Sequence, residues 1–207
     1  MQNGLPYSQA SENNKTFILD VLRKHLGDQE RVLEIGGGTG QHAVYFAQCL
    51  PYVHWQSTDI PANVGVLNQR ILTNNLPNLP AAIALDVNQR QWHCDSPSAA
   101  FTANSLHIMS EGSVRSFFTG IGTVLTAGGL LFIYGPFKYN GCFTTESNAR
   151  FNLWLKGWDP VSGIRDFETI AAWAKVAGLS LLEDYKLPAN NQMLVWRMSA
   201  PKSVKSA

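Results

Sequence analysis

An α/β domain with a mostly parallel sheet and helices on both faces is what this sequence predicts, on three observations. Short apolar runs alternate with helical patterns from Val32 to Tyr134, the β-α-β-α-β order of a parallel sheet. The first of these runs, Val32-Leu33-Glu34-Ile35, feeds directly into the dense turn Gly36-Gly37-Gly38-Thr39-Gly40 and then a helical pattern. The last two strand patterns stand side by side with only a short asparagine-rich break, which predicts an antiparallel hairpin at the sheet's end.

The elements follow in order. An amphipathic helix is expected from Thr16 to Leu26, preceded by Asn13-Asn14-Lys15, with Ser11 or Asn13 as its cap. Val32–Ile35 lacks polar alternation, as suits a strand buried on both faces. Gln41–Ala47 reads as a helix, and His54–Thr58 as a second strand ended by Asp59. Ala81–Leu85 is a third, ended by Asp86, and Ala100–Ile108 a fourth with Asn104 near its end. The helix from about Glu111 to Leu125 stops at Ala127-Gly128-Gly129. Leu130–Tyr134 is the fifth strand, and Phe167–Ala177 a helix. Leu181–Leu187 and Gln192–Met198 complete seven strands, with Asn190-Asn191 as the turn between them.

Composition narrows the function. At 207 residues the chain fits one domain, residues 1–207, with residues 1–30 laid over the site and a flexible tail from 200 to 207. A net charge of +1 gives no field to attract nucleic acid or membrane; the one basic run, Lys202-Ser203-Val204-Lys205, reads as a frayed terminus. No apolar stretch is long enough to span a bilayer and the N-terminus lacks a signal-peptide core. Three widely spaced cysteines, Cys49, Cys94 and Cys142, point to a reducing cytoplasm. His93-Cys94-Asp95 is a single cluster without a second pair, so no metal is expected. Oligomeric state is not legible.

The glycine turn sets the chemistry. Glycines let the backbone turn sharply and come close to a ligand. A dinucleotide loop, G-x-G-x-x-G, counted from Gly36 needs its third glycine where Gln41 stands. A phosphate loop needs a lysine after its last glycine, and Gln41 follows Gly40. Glu34 would repel a pyrophosphate and suits a cofactor with a cationic end. An acid about 20 residues past such a loop holds ribose hydroxyls, and Asp59 stands at that distance.

Glu34-x-Gly36-x-Gly38-x-Gly40 resembles motif I of the class I S-adenosylmethionine (SAM) methyltransferases. That resemblance implies a Rossmann-like class I methyltransferase fold with SAM as cofactor. Its cofactor set is Glu34, Gly36, Gly37, Gly38 and Gly40, His42 on the next helix, Asp59 with Ile60, Asp86 with Val87 at the adenine, and Asn104 at motif IV. Further blocks are similar to the DUF938 (UPF0585) family from about Pro6 to Arg197. They are Ser11–Lys15, Gly40–Ala47, Asn104–Ile108, Tyr134–Phe137, Ser147–Ala149, Asp159-Pro160, Gly163–Asp166 and Pro188–Asn191. The chain departs from that family at Gly36-Gly37, at Asn13 where an arginine is usual, and at Asn152 where an aspartate is usual.

The expected activity is methyl transfer to a small, polar, possibly anionic acceptor. His107 and Asn104 are the candidate catalytic residues, and Asn14, Lys15, Tyr134, Phe137 and Arg165 the candidate acceptor residues. Each has a plainer reading: His107 as a packing histidine, Asn13–Lys15 as a helix start, Arg165 as the partner of Asp166. Two other classes remain open, a non-catalytic SAM-binding scaffold and a nucleotide-dependent oxidoreductase.

Overall fold

The computed structural model describes residues 4–27 and 30–200. The expectations for the tail from 201 therefore fall outside the described residues. The chain order is α1 (Gln9–His25), β1 (Arg31–Ile35), α2 (Gln41–Cys49), β2 (His54–Asp59), α3 (Pro61–Asn74), β3 (Ile83–Ala84), β4 (Ala99–Ala103), α4 (Glu111–Val124) and β5 (Leu130–Gly135). Then come β6 (Phe137–Tyr139), β7 (Cys142–Phe143), α5 (Glu146–Trp158), β8 (Arg165–Asp166), α6 (Phe167–Val176), β9 (Leu179–Leu187) and β10 (Asn191–Met198). Seven strands form one sheet in the order β3-β2-β1-β4-β5-β10-β9. The first five are parallel, and β10 runs antiparallel to both β5 and β9. This is the Rossmann-like arrangement that the alternation and the hairpin predict.

The central strands are buried on both faces because their neighbours in sequence serve opposite cores. Val32, Phe101 and Phe132 pack with Ile18, Leu22, Phe46, Leu67 and Ile71 of α1, α2 and α3. Leu33, Ala100, Leu131 and Ile133 pack with Val114, Phe117, Ile121, Ile170 and Ala174 of α4 and α6. Among the described residues no helix is long and apolar enough to cross a membrane.

Four expectations about elements need correction. The first helix starts at Gln9, with the Ser8 hydroxyl accepting from Ser11 N, so Asn13, Asn14 and Lys15 lie inside it rather than before it. β4 ends at Ala103 because Asn104 turns to a left-handed φ of 58°; residues 104–107 form a turn, not strand. β3 is only two residues long. In the hairpin the left-handed pair is Ala189 and Asn190, and Asn191 already belongs to β10. The helices α3 and α5 and the small sheet β7-β6-β8 were not foreseen.

Glu34 is a correction of a different kind. It is 2 % exposed, and its carboxylate accepts from Ser57 Oγ at 2.5 Å and from Trp55 Nε1 at 3.1 Å, both on β2. It ties β1 to β2 within the core and is not among the residues that line the cavity at the carboxyl ends of the strands. Burial pushes its pKa up to about 7, against the two hydrogen bonds that lower it, with Asp59 adding a smaller upward push. The neutral acid is thus the form the fold prefers.

Two predictions follow from these contacts. A group whose folded pKa lies above its unfolded value contributes its stability below the unfolded value and loses it as pH rises through the folded one. Urea unfolding should therefore show stability falling between pH 4.5 and about 7, by on the order of 3 kcal/mol. Glu34→Gln should flatten that slope; a variant with the wild-type slope would assign the pH dependence elsewhere. Asn78 Nδ2 is shared among the carbonyls of Ala47, Leu50 and Val53 while its own carbonyl accepts from Trp55 N, joining the end of α2 to β2. Asn78→Ala should cost about 1–3 kcal/mol by removing the side-chain donor of Ala47 O and Val53 O, while Leu50 O keeps Val53 N; unchanged unfolding would mean that the amide bears no weight.

Candidate functional site

The glycine loop hangs from the end of β2. Gly36 N and Gly37 N both donate to Thr58 O, at 3.0 and 2.9 Å, and Gly38 N donates to Asp59 Oδ2 at 2.7 Å. The glycines differ in why they are needed. A Cβ on Gly37 would collide with Ser57 Oγ, and one on Gly36 would lie 2.5 Å from Ser105 Oγ, so these two permit close packing within the protein. Gly38 has a left-handed φ of 56° and no atom within 4 Å of where its Cβ would stand; that space is open cavity. Gly40 caps α2 at φ 75° and packs towards Leu67.

A cavity of about 1070 Å³ opens above this loop, at the carboxyl ends of β1, β2, β4 and β5. It slightly exceeds the roughly 300–1,000 Å³ usual for a single small-molecule site. One end is lined by Gly36, Gly37, Gly38, Asp59, Ile60, Asn63, Leu85, Asp86, Val87 and Asn88. Here Asp59 and Asp86 line the cavity together with the apolar side chains of Ile60, Leu85 and Val87. The Asp59 carboxylate already accepts from Gly38 N, Ile60 N and Asn63 Nδ2. Of roughly four acceptor positions on a carboxylate, one remains for a ligand without rearrangement. Asp86 holds Asn88 through the backbone and side-chain nitrogens.

The start of the chain forms a wall. Gln41 exchanges hydrogen bonds with the Ser8 backbone and reaches Glu12, while the Arg70 guanidinium binds the carbonyls of Thr39 and Pro6. These contacts hold the beginning of α1 beside the loop, so that Ser8, Ser11, Asn13, Asn14 and Phe17 line the cavity. His42 is 7 % exposed, stacks on Phe46 and donates from Nε2 to Asn14 Oδ1 at 2.6 Å. Burial first, and the charge of Lys15 second, bring its pKa down to about 4, so it is a neutral ring that positions Asn14.

The other end is lined by Asn104, His107, Ile108, Met109, Tyr134, Pro136, Ser147, Asn148, Phe151 and residues 188–191. The Asn148 amide donates to Asn190 O, and the Asn190 amide to Ser147 Oγ, which fixes the hairpin turn against α5. The Tyr134 hydroxyl sits beside the side chains of Asn14 and Asn191. His107 is 7 % exposed, meets Phe151 edge-on at 5.3 Å, and has no hydrogen bond from its ring to any described residue. Burial and then the Arg165 charge bring its pKa down to about 4.

Five of the expected site residues lie outside the lining. Glu34 is spent on β2, and Gly40 on the helix cap. Lys15 pairs with Glu12 and lies 4.7 Å over the Tyr45 ring. Phe137 is fully buried among α4 and α6 residues, since alternation along the chain turns Pro136 and not Phe137 to the cavity. Arg165 binds the carbonyls of Leu106, Met109 and Val161, bracing the turn that carries His107 rather than pairing with Asp166. Asn152 accepts from Ile164 N and is also outside the lining, so the acid missing there relative to the family does not bear on the cavity. Sequence reading missed Phe17, Asn63, Asn88 and Phe151. Among the described residues no group of three His, Cys, Asp or Glu side chains is placed to hold a metal.

Several solved structures of similar architecture are methyltransferases. An O-methyltransferase family protein from Burkholderia thailandensis matches with a TM-score of 0.79 at 17 % identity, over 93 % of this chain and 58 % of its own. Human N-acetylserotonin methyltransferase in complex with SAM matches at 0.76 and 15 %, over 93 % and 53 %. An O-methyltransferase family 2 protein from Planctomyces limnophilus in complex with apigenin matches at 0.72 and 14 %, over 89 % and 62 %. The chain thus spans little more than half the length of these structures, and at such identity the likeness is one of fold. The sequence itself matches a family over residues 5–198, and on that match the chain belongs to DUF938, described as a protein of unknown function.

Proposed function

We propose that the cavity binds SAM and that the chain transfers its methyl group to a small molecule. The observation that carries this reading is the open space over Gly38, next to the Asp59 carboxylate, at the carboxyl ends of the parallel strands where ligands of this fold class sit. In this reading Asp59 takes a ribose hydroxyl, Ile60, Leu85 and Val87 enclose the adenine, and Asp86 or Asn88 meets its amino group. Gly36, Gly37, Gly38 and Asn104 border the remainder of the cofactor. Bound there, SAM supplies a carbon whose bond to sulfur breaks, leaving the electron pair on sulfur, as the acceptor's heteroatom bonds to that carbon. His107 faces the cavity with its ring free of any other described partner and accepts a hydrogen bond from the acceptor's O–H or N–H, which holds the heteroatom in place. With its pKa brought down to about 4 by burial and the Arg165 charge it is a weak base, and the proton passes to solvent as the methyl group moves. Asn14, Asn104 and Tyr134 orient the acceptor, so positioning supplies much of the acceleration. Lys15, Phe137 and Arg165 have no direct part. The three free cysteines, of which Cys142 is exposed, favour a reducing cytoplasmic setting.

Calorimetry tests the cofactor assignment. SAM and S-adenosylhomocysteine should bind and NAD should not, and Asp59→Ala should weaken SAM by about 1–3 kcal/mol. NAD binding in place of SAM would overturn the reading. Production of S-adenosylhomocysteine from SAM in a pool of cell metabolites separates an enzyme from a scaffold that only holds the cofactor. Gly38→Val should abolish the SAM-induced rise in melting temperature while the unliganded fold survives, since the new side chain enters open space at the cost of backbone strain of about 1–2 kcal/mol. A variant that keeps that rise would show that the loop is not the cofactor cradle.

A further inference from the structure

The acceptor end carries more information than its polar residues alone. Among the described residues no lysine or arginine lines the cavity, and the acids that do are Asp59 and Asp86. Cations close in sequence to its walls are engaged elsewhere: Lys15 with Glu12, Arg165 with three carbonyls, and Arg150, beside Phe151 on α5, with Glu146 at the exposed surface; Arg70 binds the carbonyls of Thr39 and Pro6. A carboxylate or phosphate seated beside His107 would lose its water with no cationic side chain to replace it, a cost of several kcal/mol per ion. This removes the reason to expect an anionic acceptor.

An aromatic stripe leads from the same place to the surface. Phe151, Trp154 and Trp158 stand at i, i+3 and i+7 on α5, one face of the helix. Phe151 lines the cavity and touches His107; Trp154 stacks on Phe151 at 5.8 Å with 15° between the rings; Trp158 follows at 6.4 Å. Trp154 is 58 % exposed and Trp158 79 %, although their burial would be strongly favourable. The platform is rigid, because the start of α5 is bound to the hairpin turn through Asn148 and Asn190. A wall fixed in advance costs a ligand little ordering.

We propose that the acceptor is an uncharged molecule with a flat aromatic body, its O–H or N–H at His107 and its ring system against Phe151 and Trp154. This rests on the methyl-transfer reading above and adds the acceptor class to it. Continuity of the stripe with the cavity commits it to the acceptor rather than to a second protein chain.

The test is calorimetry on the full chain saturated with S-adenosylhomocysteine, using two probes that share a ring system. At about pH 7.5, 2-naphthol is neutral and 2-naphthoate is an anion. Naphthol should bind once per chain, and naphthoate about tenfold more weakly or less. Trp154→Ala, a change at an exposed side chain, should weaken naphthol about tenfold and leave S-adenosylhomocysteine untouched. Naphthoate binding as tightly as naphthol, or a Trp154→Ala variant with unchanged naphthol affinity, overturns the proposal. So does a concentration-dependent dimer that Trp158→Ala abolishes while naphthol does not bind, since the stripe is then an interface between copies. Binding of S-adenosylhomocysteine without any naphthol affinity defeats only the acceptor class. Failure to bind S-adenosylhomocysteine defeats the methyl-transfer reading and this proposal with it.

Discussion

The site depends on the suspension of one loop from one strand end. Two successive amides of the glycine turn share Thr58 O, and a third is taken by the Asp59 side chain. This geometry consumes the backbone donors that a phosphate-binding loop would leave free. It also fixes the carboxylate with one acceptor position unspent. Behind the loop, the Glu34 contacts set the spacing of β1 and β2 from which the loop hangs. An acid that looks like a site residue in the sequence therefore stands one layer behind the cavity lining. It governs the cradle's shape, with its protonation tied to burial rather than to any bound charge.

The architecture was legible because central strands buried on both faces leave apolar runs, and the terminal hairpin joins two strand patterns across a short asparagine-containing turn. What escaped were elements whose signal is weaker than their context. α3 and α5 bury few residues, Leu67 and Ile71 in one, Asn148 and Leu155 in the other, and leave large apolar side chains such as Leu72, Leu153, Trp154 and Trp158 exposed, so the apolar positions do not mark one buried face. The start of α1 was hidden because Ser11 and Asn13 resemble capping residues, whereas Ser8 performs that role. The overlong reading of β4 has a single cause: Asn104 tolerates a left-handed backbone and ends the strand where apolar content alone would continue it.

The cofactor end of the cavity was more readable than the acceptor end for a related reason. Gly36, Gly37, Gly38, Asp59 and Asp86 act by their position after a strand, which spacing reveals. The acceptor end is assembled from α1, the turn after β4, α5 and the β9–β10 turn, and sequence order does not say which side chains of these meet. The aromatic order Tyr134-Gly135-Pro136-Phe137 drew attention to Phe137, yet alternation gives the cavity Tyr134 and Pro136. Arg165 attracted a binding role by its charge, but carbonyls released by the irregular turn at 106–109 needed its donors first.

Tyr134 links the two extremes of this chain in sequence. Its hydroxyl lies beside Asn14 of the first helix and Asn191 of the last strand, so the cavity closes only when both have docked on the middle of the sheet. During synthesis the glycine loop, α2 and β2 can form long before β10 has emerged, but they then hold a trough rather than a chamber. A ligand that needs the closed chamber binds only the finished fold and stabilises that state alone by mass action. Occupancy of the cavity is thus a report that the chain's last strand is in place.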